Sequence, residues 1–384
     1  MARAKQVILP LQYESTEKGS EFEEFLLEQL WKAYLEARKG KRHTDDEQKF
    51  EMNEAENLVN LRDAIISREY ETSRGIAFVT TNPVPREIFA APFRDRVVHH
   101  FLFNICNPWW DKRLIYDSYS CRLRKGTHFG IRRMQHHMRS VTNNFTEEAW
   151  IIKLDIQAFF MNLDRELVLK RILWGLDRQF KDNRGELYET CKFLWKKIIL
   201  DDPVVGVRRR GRVRDWDILP KSKSLFYQPA GVGIVIGNLT SQLASNIYLD
   251  LLDRFIVYTL GYKHYGRYVD DFYYIVPTAE LEKAKKDIEV IANFLNAMGL
   301  TLHPDKVYIQ RVSSGINYLG ARLYPGMVVP GYRIKHNYKK AAYDLASGHG
   351  TVESFISYMG MMTNFASRNY EREIFQEMGW EYRG

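Results

Sequence analysis

Apolar residues recur at helical spacing through the first eighty positions. Phe22, Phe25, Leu26, Leu30 and Tyr34 form one stripe, and Leu58, Leu61 and Ile65 another, which predicts two amphipathic helical stretches. Between them Arg38 to His43 is basic and polar, a loop or a solvated helix end. Thr80 to Pro92 carries three prolines among apolar residues and reads as extended chain and turns. Asp95 to Ile105 reads as a buried helix. The pattern changes at Trp150: Ile151, Ile152, Leu154 and Ile156 are the short apolar run of a buried strand. It ends at Phe159-Phe160, and Asp164 is placed to cap a helix starting near Arg165. Residues 165–200 read as helical. Gly231, Gly233 and Gly237 then lead into a long amphipathic helix over 239–258. Tyr265 to Val276 predicts a hairpin with acidic residues at its tip. Helix is expected again over 279–298, short strands over 316–324 and 327–334, and a helical lobe over 337–384. No repeat or low-complexity linker interrupts the chain, so the two or three lobes that its length suggests are expected to pack as one compact α+β unit.

Composition narrows the class. The chain has 384 residues, 45% hydrophobic and 14% aromatic, which excludes a disordered polymer. No run of eighteen apolar residues occurs, so no membrane association is expected. The opening MARAKQVILP lacks the apolar core and cleavage site of a secretory signal. Cys106, Cys121 and Cys191 are scattered and odd in number, which fits neither a disulfide framework nor a zinc site and points to a reducing cytoplasm. His99-His100 and His136-His137 lack a third metal-like neighbour and read as packing or phosphate-facing residues. The net charge of +8 leans toward a polyanionic partner.

The candidate chemistry lies in carboxylates. Tyr268-Val269-Asp270-Asp271 sets two adjacent aspartates inside an apolar strand pattern. Buried charge must be paired or bound to metal, although an Asx-rich turn would also place such residues there. Asp155, 115 residues before Asp270, closes another predicted strand. If the two strands are neighbours, three carboxylates meet and repel unless divalent cations neutralise them. Hard oxygen ligands select Mg²⁺, and two such ions suit phosphoryl transfer.

These residues resemble a known family. Asp155-Ile156-Gln157-Ala158-Phe159-Phe160, Ile236-Gly237-Asn238-Leu239-Thr240-Ser241-Gln242 and Tyr268-Val269-Asp270-Asp271 are similar to reverse transcriptase motifs. Most reverse transcriptases carry Gln-Gly and Ser-Pro in the middle motif. Ile236-Gly237 with Ser241-Gln242 instead resembles the enzymes of diversity-generating retroelements, as do Lys223-Ser224-Leu225-Phe226, Ala91-Pro92-Phe93-Arg94-Asp95-Arg96 and Lys125-Gly126-Thr127-His128. The resemblance implies a right-hand polymerase fold. Its implied parts are an N-terminal helical extension and fingers over 1–80, fingers over 81–145, palm over 146–168, a fingers insertion over 169–232, palm over 233–325 and thumb over 326–384. It implies error-prone synthesis of complementary DNA, mutagenised at template adenines, from deoxynucleoside triphosphates with two Mg²⁺ ions. The implied partners are a template RNA, its RNA/DNA duplex and a small, oligomeric helical accessory protein. The implied setting is the cytoplasm of a bacterium, the gene being bacterial or phage-borne.

Carried over by position, the resemblance implies that Asp155, Asp270 and Asp271 hold the metals, with the Ile156 carbonyl as a further ligand. Phe160 is the implied steric gate against a ribose 2′-hydroxyl, and one of Phe159 and Phe160 should fill core because neighbours alternate on a strand. Arg86 is the implied triphosphate contact, suited by its planar guanidinium. The usual lysine two positions earlier is Val84 here, which leaves the number of fingers cations open, with Arg94 and Arg96 as candidates to compensate. Gly237 allows close backbone approach. Asn238, Ser241 and Gln242 line the implied nucleotide pocket, and Lys306 is the implied proton donor to pyrophosphate. Tyr318-Leu319-Gly320 resembles the primer grip. Ile236 replaces an amide side chain that could tether the template base, and that loss is expected to loosen base discrimination.

Phosphate contacts are expected from Arg122, Arg124, Lys125, Arg132 and Arg133 in the fingers and from Lys335, Lys339 and Lys340 in the thumb. Arg208 to Arg214 and Arg38 to Arg42 are either solvated loops or surfaces for RNA or the accessory protein. The alternatives are a retron, group II intron-like or phage-defence reverse transcriptase, and, in another class, a catalytically idle RNA-binding scaffold.

Overall fold

The first apolar stripe forms helix α1 (Ser20–Ala37), which buries Phe22, Leu26, Leu30 and Tyr34. The computed structural model describes residues 20–40, 44–81 and 84–382. Most of the basic stretch after Arg38, including Arg42, therefore lies outside the described residues. Helices α2 (Asp45–Glu51) and α3 (Glu54–Ile66) precede strands β1 (Ile76–Thr80) and β2 (Arg86–Ala90), then helices α4 (Phe93–Asp111) and α5 (Thr127–Val141). Strand β3 (Ala149–Asp155) leads through the single turn α6 (Phe159–Asn162) to α7 (Arg165–Gln179) and α8 (Glu186–Leu200). Next come β4 (Arg208–Arg210), α9 (Val213–Asp217) and α10 (Leu239–Arg254), which runs into a π-helical turn over Phe255–Thr259. Strands β5 (Tyr265–Tyr268) and β6 (Asp271–Pro277) precede α11 (Leu281–Ala297). The chain continues with β7 (Tyr308–Arg311), β8 (Ile316–Tyr318), β9 (Ala321–Tyr324) and β10 (Met327–Pro330), then α12 (Tyr332–Ala346), α13 (Val352–Met362) and α14 (Arg368–Glu377).

Several boundaries differ from the sequence expectation. The stretch 316–324 is two strands, because Leu319 and Gly320 both take positive φ and turn the chain. The strand expected over 327–334 stops at Pro330, and helix starts at Tyr332. Ile334, Tyr338, Ala341 and Ala342 share a core with Phe355 and Ile374, so helical burial decides that segment. The Arg208–Arg214 run is an edge strand and a short helix rather than a loop. Asp164 caps α7 as expected, its carboxylate accepting from the Leu167 N–H at 2.9 Å.

The chain divides into two compact units: 1–112 with 164–244, and 113–163 with 245–384. In the first unit β2, β1 and β4 form a sheet, β2 antiparallel and β4 parallel to β1. Helices α4, α7 and α8 pack together there around Trp110, Trp195 and Cys191. Gly175 is required at the α4–α7 contact, since a Cβ there would stand 2.1 Å from the Trp110 ring.

In the second unit β5, β6, β3 and β7 form an antiparallel sheet in that order. One face buries Ile151, Tyr273 and Ile275 against Ile131, Met134 and Met138 of α5. The other face meets α11, where the Tyr274 hydroxyl donates to the Ala284 carbonyl at 3.0 Å. Strands β8, β9 and β10 form a second antiparallel sheet. Residues 113–145 thus belong with the second unit. Among the described residues no helix is long and apolar enough to cross a membrane.

His99 is buried within the first unit, its Nδ1 2.9 Å from the Thr240 hydroxyl. Burial, with His100 and Arg96 nearby, pushes its pKa down from 6.5 to about 3. The unfolded chain therefore binds this proton first, so the neutral histidine's contribution is intact above pH 6.5 and is lost as pH falls toward 3. Urea unfolding of wild type and His99→Gln at pH 7 and pH 5 should show wild type losing about 2 kcal/mol more than the variant. Equal losses would show that His99 carries no buried-neutral penalty.

Candidate active site

The register of two neighbouring strands places the carboxylates. Asp155, the last residue of β3, lies directly across from Asp271, the first residue of β6. Cross-strand partners share a face, and like charges so placed repel. Asp270 precedes Asp271 in the turn from β5, and its carbonyl accepts from the Ile156 N–H at 3.1 Å. The β5–β6 turn pivots on Val269, whose φ is +56°. That conformation is unfavourable for a β-branched residue. It breaks the strand alternation that would otherwise separate adjacent aspartates.

Burial pushes the Asp270 carboxyl up to about 6, with the charges of Asp155 and Asp271 adding to the rise. Asp271 is likewise pushed up to about 6, mainly by burial, with Lys153 opposing and Asp155 adding. Lys306 Nζ stands 3.0 Å from Asp155 Oδ1, and Lys153 Nζ 3.5 Å from Asp271 Oδ2. The other oxygen of Asp271 is buried without a hydrogen-bond partner. The sequence expectation had three carboxylates closing around shared ions. Among the described residues, however, no three His, Cys, Asp or Glu side chains stand together closely enough to hold a metal ion. The strands juxtapose the residues, while two lysines engage the oxygens of Asp155 and Asp271. In donor chemistry the group fits a hard divalent cation: carboxylate oxygens only, mutual repulsion and one unsatisfied buried oxygen.

A buried clamp fixes the turn. Arg267 and Asp253 are fully buried and paired through two hydrogen bonds of 2.7 Å. The same guanidinium donates to the Val269 carbonyl at 3.1 Å and to the Ser118 hydroxyl at 3.2 Å. A guanidinium held bidentately has little freedom left, so the carbonyl it holds is fixed as well. Sequence reasoning passed over Arg267 and Asp253. The available signals were an arginine inside an apolar strand pattern and an acid on the apolar side of α10.

The reverse transcriptase (RNA-dependent DNA polymerase) family matches residues 91–323, well over half of the chain. The chain belongs to the reverse transcriptase family. Its fold class is accordingly that of the right-hand polymerases, and the antiparallel sheet carrying the aspartates agrees with it. Reverse transcriptases work with divalent metal ions. Protein YkfC of Escherichia coli (strain K12) is 23% identical over 298 residues, covering 68% of this chain and 70% of that protein. Among solved structures, Candida albicans telomerase in complex with a TWJ fragment of telomeric RNA is 12% identical, with a TM-score of 0.45 over 81% of this chain. Apo telomerase from Candida tropicalis is also 12% identical, with a TM-score of 0.45 over 80% of this chain. The match spans 56% and 59% of those two telomerase chains.

The other reverse transcriptase positions divide between the two units. In the second unit, Phe159 is buried and Phe160 only partly, the two rings meeting edge to face at 5.2 Å. Tyr318, Leu319 and Gly320 line an open groove of about 660 Å³ together with Lys153, Arg322 and Lys335. Tyr318 is buried, and its hydroxyl has no hydrogen-bond partner.

In the first unit, Arg86 opens β2 and is exposed. Gly237 has φ +126°, and a Cβ there would stand 2.9 Å from the Phe89 carbonyl. The Phe89 N–H donates to the Ile236 carbonyl at 3.1 Å, which straps this loop to β2. Asn238 and buried Ser241 line a cavity of about 80 Å³ with Asp95 and Arg165, and Gln242 is half-buried in the first turn of α10. Arg94 and Arg96 each donate to a backbone carbonyl, that of Glu71 at 3.1 Å and that of Ala91 at 2.8 Å.

Several of the expected phosphate contacts engage protein groups in this structure. Arg133 pairs bidentately with Asp117 at 2.6 and 2.9 Å. Arg122 donates to the Ile115 and Ser118 carbonyls, and Lys125 to that of Tyr116. Lys339 pairs with Glu377 and Lys340 with Asp344, while Lys335 lies 5.1 Å over the Tyr370 ring. Arg124 and Arg132 are exposed.

Removing one of the crowded charges should stabilise the metal-free protein. In EDTA, Asp270→Asn is expected to raise the unfolding free energy by on the order of 1–3 kcal/mol. Added Mg²⁺ should raise the wild-type melting temperature and leave the variant nearly unmoved. A destabilised variant in EDTA would mean that the carboxylates do not repel.

Proposed function

We propose that this chain is the RNA-directed DNA polymerase of a diversity-generating retroelement, copying a template RNA into error-prone complementary DNA. The observation that carries the polymerase reading is the pairing of Asp155 with Asp271 across two strands, with Asp270 at the adjoining turn. The subtype rests on the middle motif, where Ile236-Gly237 and Ser241-Gln242 replace the common residues. The proposed palm is the second unit's four-stranded sheet with the helices on it, α5 included. Fingers are assigned to the first unit and the thumb to α12–α14. The proposed partners are the template RNA, the growing RNA/DNA duplex and a small oligomeric accessory protein, in a bacterial cytoplasm.

Asp155, Asp270 and Asp271, with the Ile156 carbonyl, would hold two Mg²⁺ ions. When bound, these supply activation of a primer 3′-hydroxyl and neutralisation of the departing pyrophosphate. The protein's own part is positioning and exclusion. Arg86 offers a planar cation to the triphosphate of an incoming deoxynucleotide. Phe160 excludes a 2′-hydroxyl, and Lys306 holds a proton for the leaving group. The turn over Tyr318–Gly320 supports the primer end.

Primer extension on an RNA template with Mg²⁺ tests the activity. Asp155→Asn, Asp270→Asn and Asp271→Asn should each lower it by about 10³-fold or more. Wild-type inactivity with and without the accessory protein would support the idle scaffold instead. Ile236→Gln should restore a polar tether of about 1–3 kcal/mol and reduce misincorporation opposite template adenines, read by sequencing the products. An unchanged error spectrum would remove Ile236 from the explanation.

A further inference from the structure

Residues 208–223 contain seven lysines and arginines and two aspartates, a net +5 out of the chain's +8. Arg208, Arg209 and Arg210 form β4, the edge strand beside β1, and all three are exposed. Arg212 and Arg214 follow, also exposed. Among the described residues none of these five arginines forms an ion pair, and the carboxylate of nearby Asp215 is engaged by the Arg212 backbone N–H at 3.3 Å.

Like charges of this density repel, and of the five arginines it is Arg209 that acts on a core carboxylate, that of Glu87. The sheet nevertheless holds them in order. Arg208 and Arg210 point to one side, about 6.6 Å apart, and Arg209 to the other. Arg209 sits over Phe226, its guanidinium carbon 3.7 Å from the ring centroid, and 5.2 Å from that of Trp216. Phe226 is in turn stacked on Phe89 of β2. Beside this stack Tyr227 is 59% exposed, with Lys221 over its ring.

Arginines interleaved with aromatic faces suit single-stranded nucleic acid, since guanidinium groups take phosphates and rings take bases. We propose that this edge of the first unit binds single-stranded RNA through its phosphates, as an anchoring surface on the unit that does not carry the aspartates. The choice of RNA over DNA rests on the polymerase reading above. An acidic protein is the competing occupant; the exposed ring of Tyr227 beside the arginines favours the nucleic acid, because it offers a face on which a base can stack.

The test uses the full chain with Arg208, Arg210, Arg212 and Arg214 all changed to Gln, and Arg209 left on its aromatic support. Binding of a labelled RNA hairpin with single-stranded flanks is measured from low to high salt, with polyglutamate as the acidic-polypeptide arm. The variant should bind RNA about tenfold or more weakly, and the steepness of log affinity against log salt should fall by about 2–3. Changing the same four residues to Lys should keep the wild-type salt dependence. Unaltered RNA affinity and salt slope, or a loss seen only with polyglutamate, overturns the proposal. If the fourfold variant melts early, Arg212→Gln with Arg214→Gln, outside the strand, gives the same readout with about half the effect. Primer extension on a short preformed RNA/DNA duplex runs in parallel. Wild-type inactivity there counts against the polymerase reading, while the binding assay still decides the RNA edge.

Discussion

The second unit is organised around an electrostatic conflict: strand register forces Asp155 and Asp271 opposite one another, and the turn adds Asp270 beside them. A sheet selected for stability alone would not place like charges in directly paired positions. The surroundings hold the conflict rather than relieve it. Lys306 and Lys153 each engage one carboxylate, and one oxygen of Asp271 remains unsatisfied. Burial and repulsion leave the aspartates at the turn less acidic than usual, and a divalent cation would reverse that balance by offsetting the charge directly.

Keeping such a site in shape requires rigidity close by. The Arg267–Asp253 pair lies behind the turn, fully buried, and reaches the carbonyl of the strained Val269. Breaking a buried pair of this kind leaves an uncompensated charge, at a typical cost of about 3–5 kcal/mol. Stability and site geometry therefore share the same atoms here. Favourable binding energy in the clamp offsets the unfavourable backbone at Val269.

The first unit shows the same economy in its motifs. Ser224 and Leu225, within Lys223-Ser224-Leu225-Phe226, donate to buried Glu87 of β2 at 2.8 and 2.7 Å. Asp95, within Ala91–Arg96, accepts from the Tyr70 hydroxyl and the Ser73 N–H. Segments that look like signatures of chemistry thus act first as fasteners of the sheet and its loops. Gly237 is similar, its missing side chain demanded by the Phe89 carbonyl.

The sequence by itself determined the element types wherever burial repeats with a clear period. The stripes of α1 and α3, the β3 run and the β5–β6 hairpin were legible, because periodic burial is written locally. So were the three aspartates, since charge inside an apolar pattern is conspicuous. Tertiary structure alone decided that β3 and β6 are neighbours in a register opposing Asp155 to Asp271, that Arg133 serves Asp117, and that Arg208–Arg210 pair with β1. It also decided that Tyr332 starts a helix and that Arg267 clamps the turn. The physical reason is range. Periodicity reports whether a residue is buried, whereas register, ion-pair choice and strand order depend on partners scores of residues away that no local pattern names.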